Sequence, residues 1–127
     1  MFEIGDIVQI FSSTAGHQKY HLCVLGADQH GVCRFLYINS HDGFEDDCVV
    51  TNAELPELPP SKTQVSVFCC NTIARYNERQ MKIFEAKKLG IISKALATKL
   101  LAHVQTVRSL TRAEKTIVVE ALVLLTT

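Results

Sequence analysis

The chain has no apolar run near the ~20 residues that cross a bilayer, because Glu120 interrupts its longest candidate, residues 117–125. That excludes a membrane-spanning helix. There is no basic N-terminal segment followed by an apolar core, so no export signal is expected and the cytoplasm is the expected compartment. There is no Cys-x-x-Cys spacing. The five cysteines (Cys23, Cys33, Cys48, Cys69, Cys70) are odd in number and lie mostly in apolar or β-branched surroundings, so they read as reduced thiols. A disulfide framework and a structural zinc site with paired ligands are both disfavoured. Internal repeats and low-complexity tracts are absent too.

With 127 residues, 47% of them hydrophobic, the chain has the length and composition of one globular domain. Its net charge of zero conceals a division. Residues 1–60 carry nine acids against two bases, a net of −7; residues 61–127 carry eleven bases against four acids, a net of +7. Such asymmetry points either to a basic surface for an anionic partner or to two parts, or two protomers, that attract each other.

Residues 1–76 read as short strands. Runs at 7–11, 20–25, 32–39, 48–51 and 64–75 are β-branched and aromatic, and Gly5-Asp6, Gly26, His30-Gly31 and the acidic turn at Glu45, Asp46 and Asp47 separate them. The segment at 55–60 holds all three prolines and can only be a connection along the surface. After Tyr76 the period changes. Asn77 and Gln80 form a possible capping box for a helix through Lys88 that Gly90 ends. Ser93 caps a second helix, with Leu96, Leu100, Leu101 and Val104 at helical spacing, and Thr111 with Glu114 opens a third. The last helix is apolar enough to be deeply packed or shared with a second protomer. The fold class is therefore α+β, a single domain over 1–127, with a β-barrel part at 1–76 and a helical part at 77–127. Five or six short strands cannot make a flat two-sided sheet from so few residues, so a small closed barrel is expected.

The order of elements and several strings resemble the MazF/PemK family of small toxin endoribonucleases, which have an SH3-like barrel with helical additions. The strings are Gly5-Asp6-Ile7-Val8, the strand Tyr20 to Leu25, the turn Ile38-Asn39-Ser40, and the segment from Val65 to Asn77. The resemblance covers about the first 107 residues at the level of pattern and connection. It departs from the family where the catalytic Arg-Pro pair is replaced by Tyr20 and His21, and the family's hydroxyl residue falls at Asn39 or Ser40. What it implies is a toxin-type endoribonuclease that needs no metal, with RNA or an antitoxin as partner and a homodimer as the assembly.

The residues themselves offer chemistry with ordinary alternatives beside it. His21 opens an otherwise apolar strand, close to Lys19 and His17. Metal-independent RNA cleavage needs a group that takes the 2′-hydroxyl proton, one that protonates the leaving oxygen, and a cation for the phosphorane. Histidine titrates in the useful range and Lys19 supplies charge. A strand-end histidine bonded to a loop and a solvated lysine would give the same string. Asn39, Ser40, His41 and Asp42 form a turn where an amide and a hydroxyl can hold a phosphate or base edge, although turns also select these types for backbone reasons. Glu45, Asp46 and Asp47 with His41 and Asp42 have no recognised metal spacing, so neither metal nor cofactor is expected. Arg75, Arg79 and Lys82 are spaced to form a basic stripe for nucleic acid, or a solvated helix face.

Two readings follow. In the first, the chain cleaves single-stranded RNA, with His21 and Lys19 as acid/base and charge-stabilising groups and Asn39 and Ser40 positioning the phosphate. In the second, the barrel has no chemistry and binds a protein or a nucleic acid as a module of a toxin-antitoxin or phage-related system.

Overall fold

The computed structural model describes all residues except Ser13, Thr14, Asp42 and Phe44. Among the described residues seven strands and three α-helices follow in order, with a 3-10 turn at Asn52–Glu54 after the fourth strand: β1 (Asp6–Ser12), β2 (His17–Leu25), β3 (Cys33–Asn39), β4 (Cys48–Thr51), β5 (Val65–Phe68), β6 (Ala74–Tyr76), α1 (Glu78–Ile83), β7 (Lys87–Ile91), α2 (Lys94–Val104) and α3 (Arg112–Thr126). All pairings are antiparallel. They give the order β4-β5-β3-β2-β1-β7, with β6 on β3. The register shifts between Ile7 and Val8 and between Cys23 and Leu25, and such bulges bend a sheet. The result is a curled half-barrel. This is the α+β small barrel with three C-terminal helices expected from the sequence, with β4 and β7 unpaired to each other at its ends among the described residues.

Both faces of the sheet are covered, and the strand period of two sorts side chains between them. Leu22, Val24, Leu36, Ile38 and Phe68 pack under the helices, against Leu96, Leu100, Val104, Val118 and Leu122. Val8, Ile10, Cys23, Cys33 and Phe35 point the other way, with Ala74 and Met81 and with Tyr37, Tyr76 and Phe84 at the margin. The connection at 55–60 runs over the surface but buries Leu55 and Leu58 in the helix-side core.

The expected caps are present at Asn77 with Gln80, at Ser93, and at Thr111 with Glu114. The expected extent of the first helix is not. It stops at Ile83, and the β structure does not end at Tyr76, because Lys87–Ile91 returns as a strand beside β1. Glu85 adopts φ 53°, a left-handed conformation that no helix continues through. The open edge of β1 then offers ladder hydrogen bonds to the chain. Gly90 is therefore no helix stop. A Cβ there would lie 2.8 Å from Glu57 Cγ, so the glycine lets the proline-containing connection pass close to β7.

The acidic turn is tied to the helices. The Asp46 carboxylate accepts the backbone N–H of Arg108 at 3.1 Å and of Ser109 at 2.8 Å, together with the Ser109 hydroxyl. His103 Nε2 lies 2.9 Å from the Asp46 carbonyl. The Ser109 hydroxyl first, then the Ser109 and Arg108 N–H groups, hold the Asp46 carboxyl below the usual carboxylate range.

The last helix buries Val118, Ala121 and Leu122 and exposes Val123 and Leu124. Leu122 is thus core. Leu122→Ala is expected to lower the unfolding free energy by about 2–5 kcal/mol in denaturant titration, with a midpoint independent of protein concentration. A midpoint that rises with concentration would place Leu122 at an interface instead.

Candidate functional site

The far ends of β2 and β3 build the candidate site. Tyr20 pairs with Ile38 and His21 with Tyr37, so alternation brings Lys19, His21, Tyr37 and Asn39 to the sheet face turned away from α2 and α3. There Lys19 Nζ donates to Asn39 Oδ1 at 3.4 Å, and Asn39 Nδ2 donates to Cys69 Sγ at 3.0 Å. Cys69 is held in place by its own N–H, which donates to the Tyr37 carbonyl at 2.9 Å. Burial, and then the charge of Asp47, push the Cys69 thiol up to about 11, so it stays neutral and serves as an acceptor.

Two adjoining grooves share Lys19 and Asn39. One, of about 430 Å³, is walled by Phe11, Tyr37, Tyr76 and Phe84. The other, of about 690 Å³, is polar along one side, with His17, Ser40 and His41, and bounded by Leu58 and Pro59 on another. Lys19, Asn39 and Ser40 therefore line one surface, whereas His21, expected to share a cleft with Asn39 and Ser40, does not join them. His17 Nδ1 lies 2.8 Å from the Gln18 carbonyl.

His21 lies elsewhere. Its side chain is 0% exposed and lines neither groove. Its ring sits 5.1 Å from Tyr37, 5.5 Å from Tyr76 and 5.7 Å from Phe35 between centroids. Nε2 is 3.3 Å from the Tyr76 hydroxyl. Burial lowers its pKa to about 4. A neutral imidazole sealed behind two tyrosines cannot reach a substrate's proton.

Arg75, Arg79 and Lys82 are exposed and line neither groove. Lys82 borders a separate cavity with Phe2, Met81 and Lys88. Asp42 lies outside the described residues. Among the described residues no three of His, Cys, Asp and Glu come together to hold a metal ion, and the Asp46 carboxylate is committed to the α2–α3 connection.

Sequence reasoning missed the aromatic wall. The period-two placement of Tyr37 with Asn39 and of Lys19 with His21 was a usable signal. The meeting of Phe11 with Phe84 was not, since it depends on the chain folding back through β7, where Phe11 N–H donates to the Phe84 carbonyl at 3.0 Å.

The buried imidazole yields a pH prediction. Unfolded His21 titrates near 6.5 and folded His21 near 4, so between these values the unfolded chain binds more protons. The stability that His21 confers by staying neutral is complete above 6.5. It is lost as pH falls toward 4, by about 3 kcal/mol. Urea titrations of the wild type and of His21→Phe over pH 4–7 are expected to show a shallower pH dependence in the variant.

Compared with known proteins, the chain matches no protein-family model, no curated protein and no solved structure.

Proposed function

We propose that the chain binds single-stranded RNA across the face formed by the ends of β1, β2 and β3. One observation carries this reading: the Lys19–Asn39 pair stands where an aromatic groove meets a polar one. Single strands are held by aromatic side chains on which bases stack and by cations that follow the phosphates. Phe11, Phe84, Tyr37 and Tyr76 supply the first element. Lys19 supplies the second, with Asn39 and Ser40 as polar contacts for a phosphate or sugar. Arg75, Arg79 and Lys82 would serve a longer strand only as it left this surface. Five buried free thiols suit a reducing, cytoplasmic setting.

A second reading is cleavage of the MazF/PemK type, and the presence of His17 and His41 beside Lys19 favours it. One imidazole would take the 2′-hydroxyl proton as O2′ bonds to phosphorus. The other would protonate O5′ as the P–O5′ bond breaks, leaving a 2′,3′-cyclic phosphate and a 5′-hydroxyl, with Lys19 opposite the phosphorane charge. In this reading the roles first given to His21 pass to His17 and His41. The partner readings, an antitoxin or a second copy, rest on the exposed apolar side chains of Ile91, Val123 and Leu124.

Lys19→Ala is expected to weaken binding of a labelled RNA decamer and to reduce the slope of log K against log salt by about one. Fluorescence anisotropy at several salt concentrations measures this, and an unchanged slope would remove Lys19 from the phosphate path. For cleavage, wild-type protein in chelator is expected to release cyclic-phosphate ends, and His17→Ala and His41→Ala are each expected to slow this by about 10²–10⁴. Binding without any cleavage leaves the RNA-binding reading alone.

A further inference from the structure

Strand alternation sends Tyr20 of β2, Ile38 of β3 and Phe68 of β5 to the side of the sheet opposite Lys19 and Asn39, where they pack against the helix-side core. Toward the end of the sheet that holds the grooves, the next row on this side turns polar. Carried two residues further, the register of Tyr20 with Ile38 and of Ile38 with Phe68 sets Gln18, Ser40 and Ser66 side by side across three strands. All three line the groove of about 690 Å³, beside Tyr20, Leu58 and Pro59.

The fold makes no use of this row. Ser66 is only 5% exposed, yet its hydroxyl has no hydrogen-bond partner among the described residues. No hydrogen bond fixes the Ser40 hydroxyl or the Gln18 amide either, and Gln18 Oε1 is buried without a donor. A serine kept without a partner at a buried strand position costs stability that alanine or valine would not. A ligand hydroxyl removes that cost, because it accepts from one serine and donates to the other or to the amide carbonyl. The row carries no charge, so it suits a neutral hydroxyl, while Lys19 on the adjoining wall meets a phosphate.

We propose that Gln18, Ser40 and Ser66 form a ribose subsite that recognises the 2′-hydroxyl of the bound strand, so that the protein selects RNA over DNA. This rests on the RNA-binding reading and adds to it. Aromatic stacking and a cation on the phosphate serve both nucleic acids alike, whereas the 2′-hydroxyl is present in only one of them.

The test compares two labelled probes by fluorescence anisotropy, a uridine decamer and a deoxyuridine decamer, which differ only at the 2′ position. The wild type is expected to bind the uridine decamer about three- to tenfold more tightly. Ser66→Ala is expected to bring that ratio to within about twofold of one, through weaker binding of the uridine decamer and unchanged binding of the deoxyuridine decamer. Ser40→Ala is expected to move the ratio in the same direction. Removing a hydroxyl that bonds nothing in the free protein breaks no contact of the fold, and should Ser66→Ala still fail to fold, the exposed Ser40 gives a variant that decides the matter. An undiminished ratio in the serine variants would overturn the proposal while RNA binding stood, and so would an equal loss of affinity for both probes. Equal affinity of the wild type for the two decamers overturns it too, and failure of the wild type to bind either removes the RNA-binding reading with it.

Discussion

The register of β2 against β3 is the constraint on which the rest depends. With His21 opposite Tyr37 and Leu22 opposite Leu36, the strand pair sends leucines to the helices and a histidine, a tyrosine, a lysine and an asparagine to the other face. Side chains on a strand alternate, so a slip of one residue on one strand would put that strand's polar set under α2 and α3. The buried areas on both faces oppose this slip. The site is thus a by-product of the same pairing that builds the core, and Lys19 meets Asn39 because the leucines between them and the helices have no other place to go.

The division of charge also finds a structural use. Lys88 pairs with Asp6 at 3.2 Å and Lys99 with Glu54 at 2.9 Å, each bond joining the basic half of the chain to the acidic half. Asp46 adds a third link, to backbone N–H groups between α2 and α3. The Lys99–Glu54 pair is largely exposed and contributes little stability individually, whereas Asp6 is buried beside Lys88. Their common direction matters more: the acidic first half and the basic second half attract each other within one molecule, which accounts for part of an asymmetry that by itself also suggests an anionic partner. The cations at Arg75, Arg79 and Lys82 lie apart from the grooves, and Lys19 stands between them.

The burial of His21 shows how one residue changes meaning between sequence and structure. As a letter beside Lys19 it reads as a general base, since imidazole titrates near neutrality and a cation stands close by. In the fold it is surrounded by Phe35, Tyr37 and Tyr76, and desolvation keeps it neutral. What remains to it is geometry: a fixed ring with one nitrogen 3.3 Å from the Tyr76 hydroxyl. The histidines that do face the groove, His17 and His41, lie at the ends of strands, where the chain leaves the sheet and side chains are free of packing.

Local sequence by itself determined the α+β class, most of the strands, the three helix starts and the identity of the polar strand ends. Each of these is set by interactions within a few residues: β-branched runs, side-chain oxygens that cap N–H groups, prolines that cannot donate. The tertiary structure alone decided that α1 stops at Ile83, that residues 87–91 join the sheet, that Phe84 and Phe11 wall one groove, and that His21 is buried. These depend on an open edge of β1 and on rings distant in sequence, and the free energy of filling an edge or a core belongs to the assembled chain and to no single segment of it.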